Sequence, residues 1–391
     1  MDRLVRFARE RLETAELARG CSPSDVAWTR DAFDPDALTI CFARRFATYK
    51  RANLLLSQPE RLKALLTDDD RPLQFIFAGK AHPADDAGKE LIRQIVTFAQ
   101  KAGIRHRFAF IDDYDMHVAR MLYRGADVWL NTPRRPLEAC GTSGEKAALN
   151  GALNCSILDG WWDEMFTGDN GWAVTSAEKV EDLDKRDRIE ADSLFGLLEQ
   201  QIVPLFYDRS GDGLPHGWID RVRAGWRSLG PQVNAARMVR DYVTELYEPL
   251  ASRTEQLNAD AHQRARELVQ WRSRIEAGWP AVAVVAVSGA DSDVTALGAT
   301  RSVQAEVALG SLSPQDVSVQ LMHGVVGEGD QLVDPAIEVL SETGTSSAGT
   351  VSYTGNLQIR RAGRYGYTIR VVPNHADLVN AVDLGRVVWA D

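Results

Sequence analysis

Short apolar runs alternate with amphipathic stretches from residue 38 to about residue 174. The apolar runs are strand-sized and lie at 38–42, 74–78, 107–111, 126–130, 155–158 and 172–174. Between them, apolar residues recur at the three- and four-residue steps typical of helices, at 50–66, 85–102, 115–124 and 145–153. This alternation predicts an α/β fold with a Rossmann-like, parallel, doubly wound sheet over residues 31–175. Ligands of such sheets bind beyond the carboxyl ends of the strands.

The flanking segments have other patterns. Residues 1–30 have the apolar spacing of N-terminal helices, and residues 176–279 predict a helical continuation whose Trp and Leu residues form core rather than a site. From Pro280 onward, seven short, mostly alternating segments separated by turn residues predict an antiparallel β-sandwich over 280–391. We interpret its acidic loop at Asp291 and Asp293 as solvated rather than as a calcium site.

Composition and charge narrow the class of protein. With 45% hydrophobic and 26% charged residues the chain is typical of globular proteins, and no apolar run approaches the roughly 20 residues that span a bilayer. The charged N-terminus lacks the apolar core of a secretory signal, and four cysteines without paired spacing fit a reducing cytoplasm. A net charge of −10 disfavours nucleic acid as a partner. We predict no metal site and no membrane partner.

The segment from Arg135 to Glu164 carries the densest chemical signal. Its residues Gly141, Thr142, Ser143 and Gly144 directly precede a helical pattern, and the N–H groups of a helix N-terminus favour a phosphate. Lys146 follows the loop by two residues and is one of only eight lysines, none of which lies beyond residue 185. A lysine beside such a loop indicates either charge pairing or a Schiff base with an aldehyde cofactor.

A second cluster begins at the end of the first predicted strand. The run ARRFATYKR places Arg44, Arg45, Lys50 and Arg51 in the connection to the next helix. Cations at this edge of a parallel sheet suit a phosphate or a phosphorylated substrate. The alternative is a solvated surface cluster.

At these residues the chain resembles a known family. ARRFATYKR and RPLEACGTSGEKAALNGALNCSILDG, together with FAGKAHP, IDDYDMHVAR and GADVWLNTPRRP, are similar to the C-terminal half of the α-glucan (glycogen, starch or maltodextrin) phosphorylases, particularly the shorter bacterial type. The resemblance is strong over about residues 38–175 and weak in the helical region and β-domain. The family consists of retaining glycosyltransferases with two Rossmann domains, the GT-B fold, that use pyridoxal 5′-phosphate.

The resemblance implies roles for individual residues. Lys146 matches the lysine that forms the Schiff base with pyridoxal phosphate. Arg44, with Gly141, Thr142, Ser143 and Gly144, falls where the family holds the cofactor's 5′-phosphate. Arg45 and Lys50 match the pair that binds the substrate phosphate, while Glu138 and the stretch Cys140–Gly141 match contacts to glucose hydroxyls.

The same resemblance implies the reaction. The family cleaves α-1,4-glucan with inorganic phosphate to α-glucose 1-phosphate, and the cofactor's phosphate relays a proton as the glycosidic oxygen leaves. Arg45 and Lys50 would stabilise the charge on the two close phosphates. A sugar-nucleotide transferase of the same fold is disfavoured because such enzymes tend to carry a glutamate where this chain has Lys146.

Two residues depart from the family pattern. Cys140 stands where serine is usual, which predicts a poorer hydrogen bond to the sugar. Glu145 stands where methionine is usual; its carboxylate would favour protonated Lys146 and oppose the Schiff base, unless it points to solvent.

Members of the family form their active site between two Rossmann domains. The pattern of this sequence predicts only one such domain. We therefore expect the C-terminal portion of a phosphorylase that needs an N-terminal half, supplied either by a separate chain or by a longer native chain. A noncatalytic, glucan-binding remnant is the alternative, and a homo-oligomer stays open.

Overall fold

A computed structural model describes residues 1–289, 295–345 and 349–390, so the loop with Asp291 and Asp293 lies outside the described residues. The chain forms two compact units, Met1–Arg240 and Asp241–Asp391. Within the described ranges, no helix is long and apolar enough to cross a membrane.

The first unit is built on a six-stranded parallel sheet. Its strands are β1 Leu38–Ala43, β2 Leu73–Ala78, β3 Phe108–Ile111, β4 Val128–Asn131, β5 Leu153–Ile157 and β6 Gly171–Val174. They follow the order β3-β2-β1-β4-β5-β6, which is the doubly wound arrangement of the Rossmann fold. All six predicted strands are present, and the α/β fold class is confirmed.

Helices cover both faces of this sheet, as the fully buried strand β1 requires. Leu38, Ile40 and Phe42 of β1 pack into one core cluster, and Cys41 and Ala43 pack into the other. The helices are α1 Asp2–Ala18, α2 Pro59–Leu66, α3 Asp86–Lys101, α4 Met116–Gly125, α5 Thr142–Leu149, α6 Trp161–Met165, α7 Leu183–Leu197, α8 Val203–Tyr207, α9 His216–Leu229 and α10 Ala235–Tyr242. The last helix that begins in this unit, α10, ends two residues beyond it.

Two predicted helices differ in the structure. The helix predicted over 50–66 begins only at Pro59, because Arg51 adopts a left-handed backbone conformation with φ of 46° and short 3₁₀ turns follow it. Of the N-terminal helices predicted over residues 1–30, only α1 is an α-helix; the rest of this segment forms a turn followed by a 3₁₀ helix, Ala27–Arg30. Both differences lie where the chain turns tightly between elements.

The second unit consists of one long helix and two antiparallel sheets. Helix α11, Glu248–Gly278, leaves helical geometry at 259–262. The strands are β7 Ala283–Ser288, β8 Thr300–Ala308, β9 Val317–Val326, β10 Leu332–Val339, β11 Ser341–Thr345, β12 Val351–Gln358, β13 Tyr365–Pro373 and β14 Val388–Trp389. They form the sheets β10-β9-β13-β14 and β11-β12-β8-β7.

The two sheets share one apolar core. Val303 and Val307 of β8 and Leu321 and Ile369 of the other sheet belong to the same buried cluster, so the antiparallel β-domain is confirmed. Strand β11 was not predicted, because its residues SETGT carry no apolar alternation.

Candidate active site

The cluster of cations lies at the point where the strand order of the parallel sheet reverses. Strand β1 pairs with β2 on one side and with β4 on the other. Arg44 follows β1 directly, and its NH1 group donates to Oδ1 of Asn131, the last residue of β4, at 3.3 Å. A crevice at this position is where doubly wound sheets bind their ligands.

Glu138 joins two of the predicted site residues. Its Oε2 accepts a hydrogen bond from Arg44 NH2 at 2.6 Å and one from Lys50 Nζ at 2.8 Å. The three side chains are between 7% and 13% exposed, so these charges interact with little screening by water. The site therefore holds one carboxylate between two cations.

The backbone around Glu138 is fixed by a buried carboxylate. Asp159 Oδ2 accepts from the N–H of Glu138 at 2.9 Å, and its Oδ1 accepts from the N–H of Gly160 at 3.0 Å. Burial raises the pKa of Asp159, and the two N–H groups oppose that rise. Asp159 thus connects the loop of Glu138 to the turn after β5.

The other cations of the ARRFATYKR segment have different surroundings. Arg45 is exposed, and the structure does not bring it into the Glu138 cluster. Arg51 is 2% exposed; it donates to the carbonyls of Thr132 and Pro133 and pairs with Asp187 at 2.8 Å. Arg51 therefore holds the loop after β4 in place and is not available to a ligand.

The glycine-rich loop ends at the start of helix α5. Gly141 precedes the helix with φ of 92°, a conformation that favours glycine. A Cβ at Gly144 would lie 2.6 Å from Asn154 Oδ1, and Asn154 Nδ2 donates to the Gly144 carbonyl at 3.0 Å. The helix N-terminus is thus held closely against β5. Because α5 begins at Thr142, the first N–H groups of Thr142 and Ser143 have no acceptor within the helix.

Lys146 points back toward this N-terminus. Its exposed amine lies 3.3 Å from Thr142 Oγ1, four residues earlier on the same face of the helix. The amine also borders an open cavity of about 490 Å³. The residues lining that cavity are Tyr114, Asp115, Met116, Ala119, Arg120, Tyr123, Arg124, Lys146 and Asn150.

Aromatic residues connect the cavity to the cation cluster, and sequence reasoning missed them. Tyr123 packs on Trp129 with ring centroids 4.7 Å apart, and the indole N–H of Trp129 donates to Ser143 Oγ at 3.3 Å. Burial raises the pKa of Tyr114 and of Tyr123, and the nearby Arg44 opposes both rises. The sequence position of Tyr114 could have indicated its place at the site, because Tyr114 follows β3 at the same edge of the sheet as the predicted site residues.

Cys140 and Glu145, the two residues that depart from the family pattern, contact each other. The thiol of Cys140 donates to Glu145 Oε1 across 3.4 Å. Desolvation and the Glu145 carboxylate raise the pKa of the Cys140 thiol to about 11, so it stays protonated at neutral pH. The carboxylate of Glu145 therefore faces the thiol.

The groups near the start of helix α5 could hold a phosphate-bearing aldehyde cofactor. Arg44 is buried, and its Nε has no hydrogen-bond partner among the described residues. The guanidinium, the N-terminus of α5 and the amine of Lys146 supply an anion site and a nucleophile. The described part of the chain contains no group of three His, Cys, Asp or Glu side chains placed to hold a metal ion.

Two family models match the chain. The model described as carbohydrate phosphorylase matches residues 27–171. The model described as glycogen phosphorylase C-terminal domain matches residues 279–391, which include the whole antiparallel β-domain.

Curated relatives are similar over nearly the whole chain. Glycogen phosphorylase of Mycobacterium tuberculosis is 47% identical over 388 residues, which cover 99% of this chain and 45% of that protein. Maltodextrin phosphorylase of Thermococcus litoralis is 37% identical over 361 residues, covering 91% of this chain and 42% of that protein. The chain thus spans less than half the length of these relatives.

Proposed function

Since this chain belongs to the α-glucan phosphorylase family and corresponds to the C-terminal half of its shorter bacterial members, we propose that it forms the cofactor- and phosphate-binding side of an α-1,4-glucan phosphorylase. The reaction is phosphorolysis of glycogen or maltodextrin to α-glucose 1-phosphate. The observation that carries the proposal is the cluster of Arg44, Lys50 and Glu138 at the reversal of the strand order. The Cγ of Glu138 lies 3.7 Å from where a Cβ at Gly141, directly before helix α5, would be.

The cofactor of this site is pyridoxal 5′-phosphate. Lys146 supplies the amine for its aldehyde, and Arg44, with the first N–H groups of Thr142 and Ser143, binds its phosphate. Gly141 and Gly144 let the backbone approach closely. When bound, the cofactor supplies a phosphate group that exchanges a proton with the substrate phosphate.

Arg45 and Lys50 bind the inorganic phosphate. The proposal for Lys50 is supported by its ammonium, which lies 2.8 Å from Glu138 Oε2, whereas Arg45 is exposed and outside that cluster. An arriving phosphate competes with the Glu138 carboxylate for Lys50, since both are anions and the site excludes most water. Displacement of Glu138 frees its oxygens to accept hydrogen bonds from glucose hydroxyls.

Cys140 and Gly141 complete the sugar side of the site. The Gly141 backbone can approach a sugar because no side chain intervenes. The Cys140 thiol is a weak hydrogen-bond donor and is directed to Glu145. It therefore offers the sugar a weaker hydrogen bond than a serine hydroxyl would.

The glucan groove requires a second domain. The chain spans 45% of the length of its mycobacterial relative, and we propose that the equivalent of the remainder, on the same or a separate polypeptide, forms the opposite wall of the cleft. We further propose a cytoplasmic location, which the four free cysteines of the described chain support.

One observation favours a second candidate, a noncatalytic glucan-binding member of the family. Glu138 already pairs with both Arg44 and Lys50, so each of these cations has an anionic partner without any phosphate. This candidate predicts no response of the protein to pyridoxal phosphate.

A spectrophotometric titration separates the two candidates. We expect purified protein to bind one equivalent of pyridoxal phosphate with a shift of its visible absorbance, and Lys146→Ala to abolish the shift. The exposed Lys101 provides a matched control, since Lys101→Ala should titrate like the wild type. An unshifted spectrum in the wild type would support the noncatalytic candidate.

A further inference from the structure

A row of four side chains crosses the outward face of one β-sheet in the second unit. Val339 of β10 pairs with Gln320 of β9, which pairs with Arg370 of β13, which pairs with Trp389 of β14. Directly paired residues of neighbouring strands point to the same face of a sheet. The residues next to them, Leu321 and Ile369, point to the opposite face and lie in the core.

A second row on the same face extends this surface. Ile337, Met322 and Thr368 are cross-strand partners two residues along from the first row. We call the seven residues of the two rows the Trp389 face. The Trp389 side chain is 45% exposed, and Val339 and Ile337 at the far edge are 66% and 49% exposed.

The polar groups of the Trp389 face are held in place by each other. Gln320 Oε1 accepts from Arg370 Nε at 2.8 Å, and Gln320 Nε2 donates to Ser318 Oγ at 3.2 Å. The Arg370 guanidinium lies 5.8 Å from the centroid of the Trp389 ring. The terminal N–H groups of Arg370 have no acceptor in the part of the chain that the structure describes.

We propose that the Trp389 face binds an α-glucan chain, independently of the cofactor site. The ligand class rests on the proposed function, which supplies an α-glucan as the polymeric substrate. A sugar ring has an apolar face that packs against an indole ring, and hydroxyl groups at its rim that accept hydrogen bonds from a guanidinium. The Trp389 face offers both features, since the Arg370 guanidinium lies over one side of the indole and the Trp389 residue is still 45% exposed.

Size and charge argue against two other partners. A stable protein interface takes roughly 20–30 residues on each side, whereas the Trp389 face has seven. Nucleic acid needs several cations in a row along its phosphates, and this face carries only Arg370. A neutral, hydroxylated polymer fits both its size and its charge.

Glucan binding by this face tethers the polymer to the protein while its nonreducing ends react at another site. The Gln320–Arg370 hydrogen bond orients the guanidinium before the sugar arrives, which lowers the entropy lost on binding. Individual contacts of this kind are weak, so we expect the face to act on a polymer rather than on glucose.

The test is affinity electrophoresis of the full chain through gels with and without glycogen, in the absence of pyridoxal phosphate and phosphate. We expect glycogen to retard the wild type, and Trp389→Ala to weaken the apparent affinity about tenfold, as loss of an aromatic contact would. Arg370→Leu is a second variant that keeps Trp389, and it should weaken binding as well. Circular dichroism checks that each variant folds.

Two controls make the outcome specific. Tyr247→Ala removes another exposed aromatic side chain, 57% exposed in the wild type, and should leave retardation unchanged. Lys146→Ala should also leave it unchanged, so a failure of the cofactor proposal and a failure of this one are distinguishable. Equal retardation of the wild type, Trp389→Ala and Arg370→Leu would overturn the proposal. So would retardation that only Lys146→Ala removes, or no retardation of the wild type.

Discussion

The ammonium of Lys50 lies 2.8 Å from Oε2 of Glu138, and Arg44 donates to the same oxygen. One carboxylate oxygen therefore pairs with two cations, which leaves the cluster with one excess positive charge at the edge of the parallel sheet where such folds bind ligands. Arg44 and Lys50 are thus both held in place by Glu138, and an anion that binds them has to compete with its carboxylate. This relationship has measurable consequences for stability and for binding.

Glu138→Gln should destabilise the protein because Arg44 and Lys50 lose their buried counter-charge. We expect the free energy of unfolding to fall by about 2–3 kcal/mol, and phosphate to restore more stability to the variant than to the wild type. Urea denaturation with and without phosphate measures both effects. Glu164→Gln, at an exposed position, is the control. Equal responses of Glu138→Gln and the wild type to phosphate would show that the cluster does not bind it.

Gly144→Ala should displace helix α5, because its Cβ would lie 2.6 Å from Asn154 Oδ1 and 3.0 Å from the Trp161 ring. We expect a loss of about 1–3 kcal/mol in unfolding free energy, together with weaker binding of pyridoxal phosphate. Gly196→Ala in α7 is the matched control, since no atom lies within 4 Å of its Cβ. It should gain roughly 0.5–1 kcal/mol. Equal stability of the two variants would contradict the close packing of α5 on β5.

Because of Asp127, the free energy of unfolding should fall as the pH rises from about 4 to about 7. Burial raises its pKa to about 7, although the N–H of Thr39 donates to its carboxylate. In the unfolded chain the pKa of Asp127 is about 3.9. At pH values between this pKa and that of the folded protein, Asp127 keeps its proton in the folded state and releases it on unfolding. Asp127→Asn cannot titrate, so its advantage over the wild type should grow between pH 4 and 7 and then level off.

Urea denaturation at pH 5 and pH 8 measures this difference. Asp36→Asn, at an exposed position, should show the pH profile of the wild type. A constant difference between Asp127→Asn and the wild type at both pH values would mean that Asp127 has an ordinary pKa in the folded protein.

The Cys140 thiol should react slowly with alkylating reagents at neutral pH, because its pKa is raised to about 11. Glu145→Gln removes the neighbouring negative charge, lowers this pKa and should speed alkylation at every pH below it. The rate is measured in a Cys21→Ser background, since Cys21 is the other cysteine that is not buried. Unchanged rates in Glu145→Gln would exclude the contact between the thiol and this carboxylate.

The sequence predicted those helices and strands whose buried face can be recognised from the apolar pattern of the segment itself. Strand β1 is apolar except for Thr39 and therefore indicates a strand inside a parallel sheet that is covered on both faces. The helix predicted from Lys50 fails for a local reason as well, since Arg51 takes a left-handed conformation and Pro59 suits a first helical position.

Contacts between distant residues could not be predicted in this way. Glu138 and Lys50 are 88 positions apart, and nothing in either segment indicates that their charges meet. The cavity beside Lys146 was missed because Tyr123 belongs to a helical segment, where an aromatic residue is typical of a core, and Tyr114 lies in the loop before that helix. Cys140 and Glu145 were each noticed as departures, but their contact depends on where α5 begins.

The assignment of Lys146 as the cofactor lysine is the claim on which the proposed function depends, and peptide mapping tests it most directly. Protein loaded with pyridoxal phosphate is reduced with borohydride, digested and analysed by mass spectrometry. We predict a phosphopyridoxyl group on the peptide that contains Lys146, and on no other of the eight lysines. A label on a different lysine, or no label at all, would contradict the account.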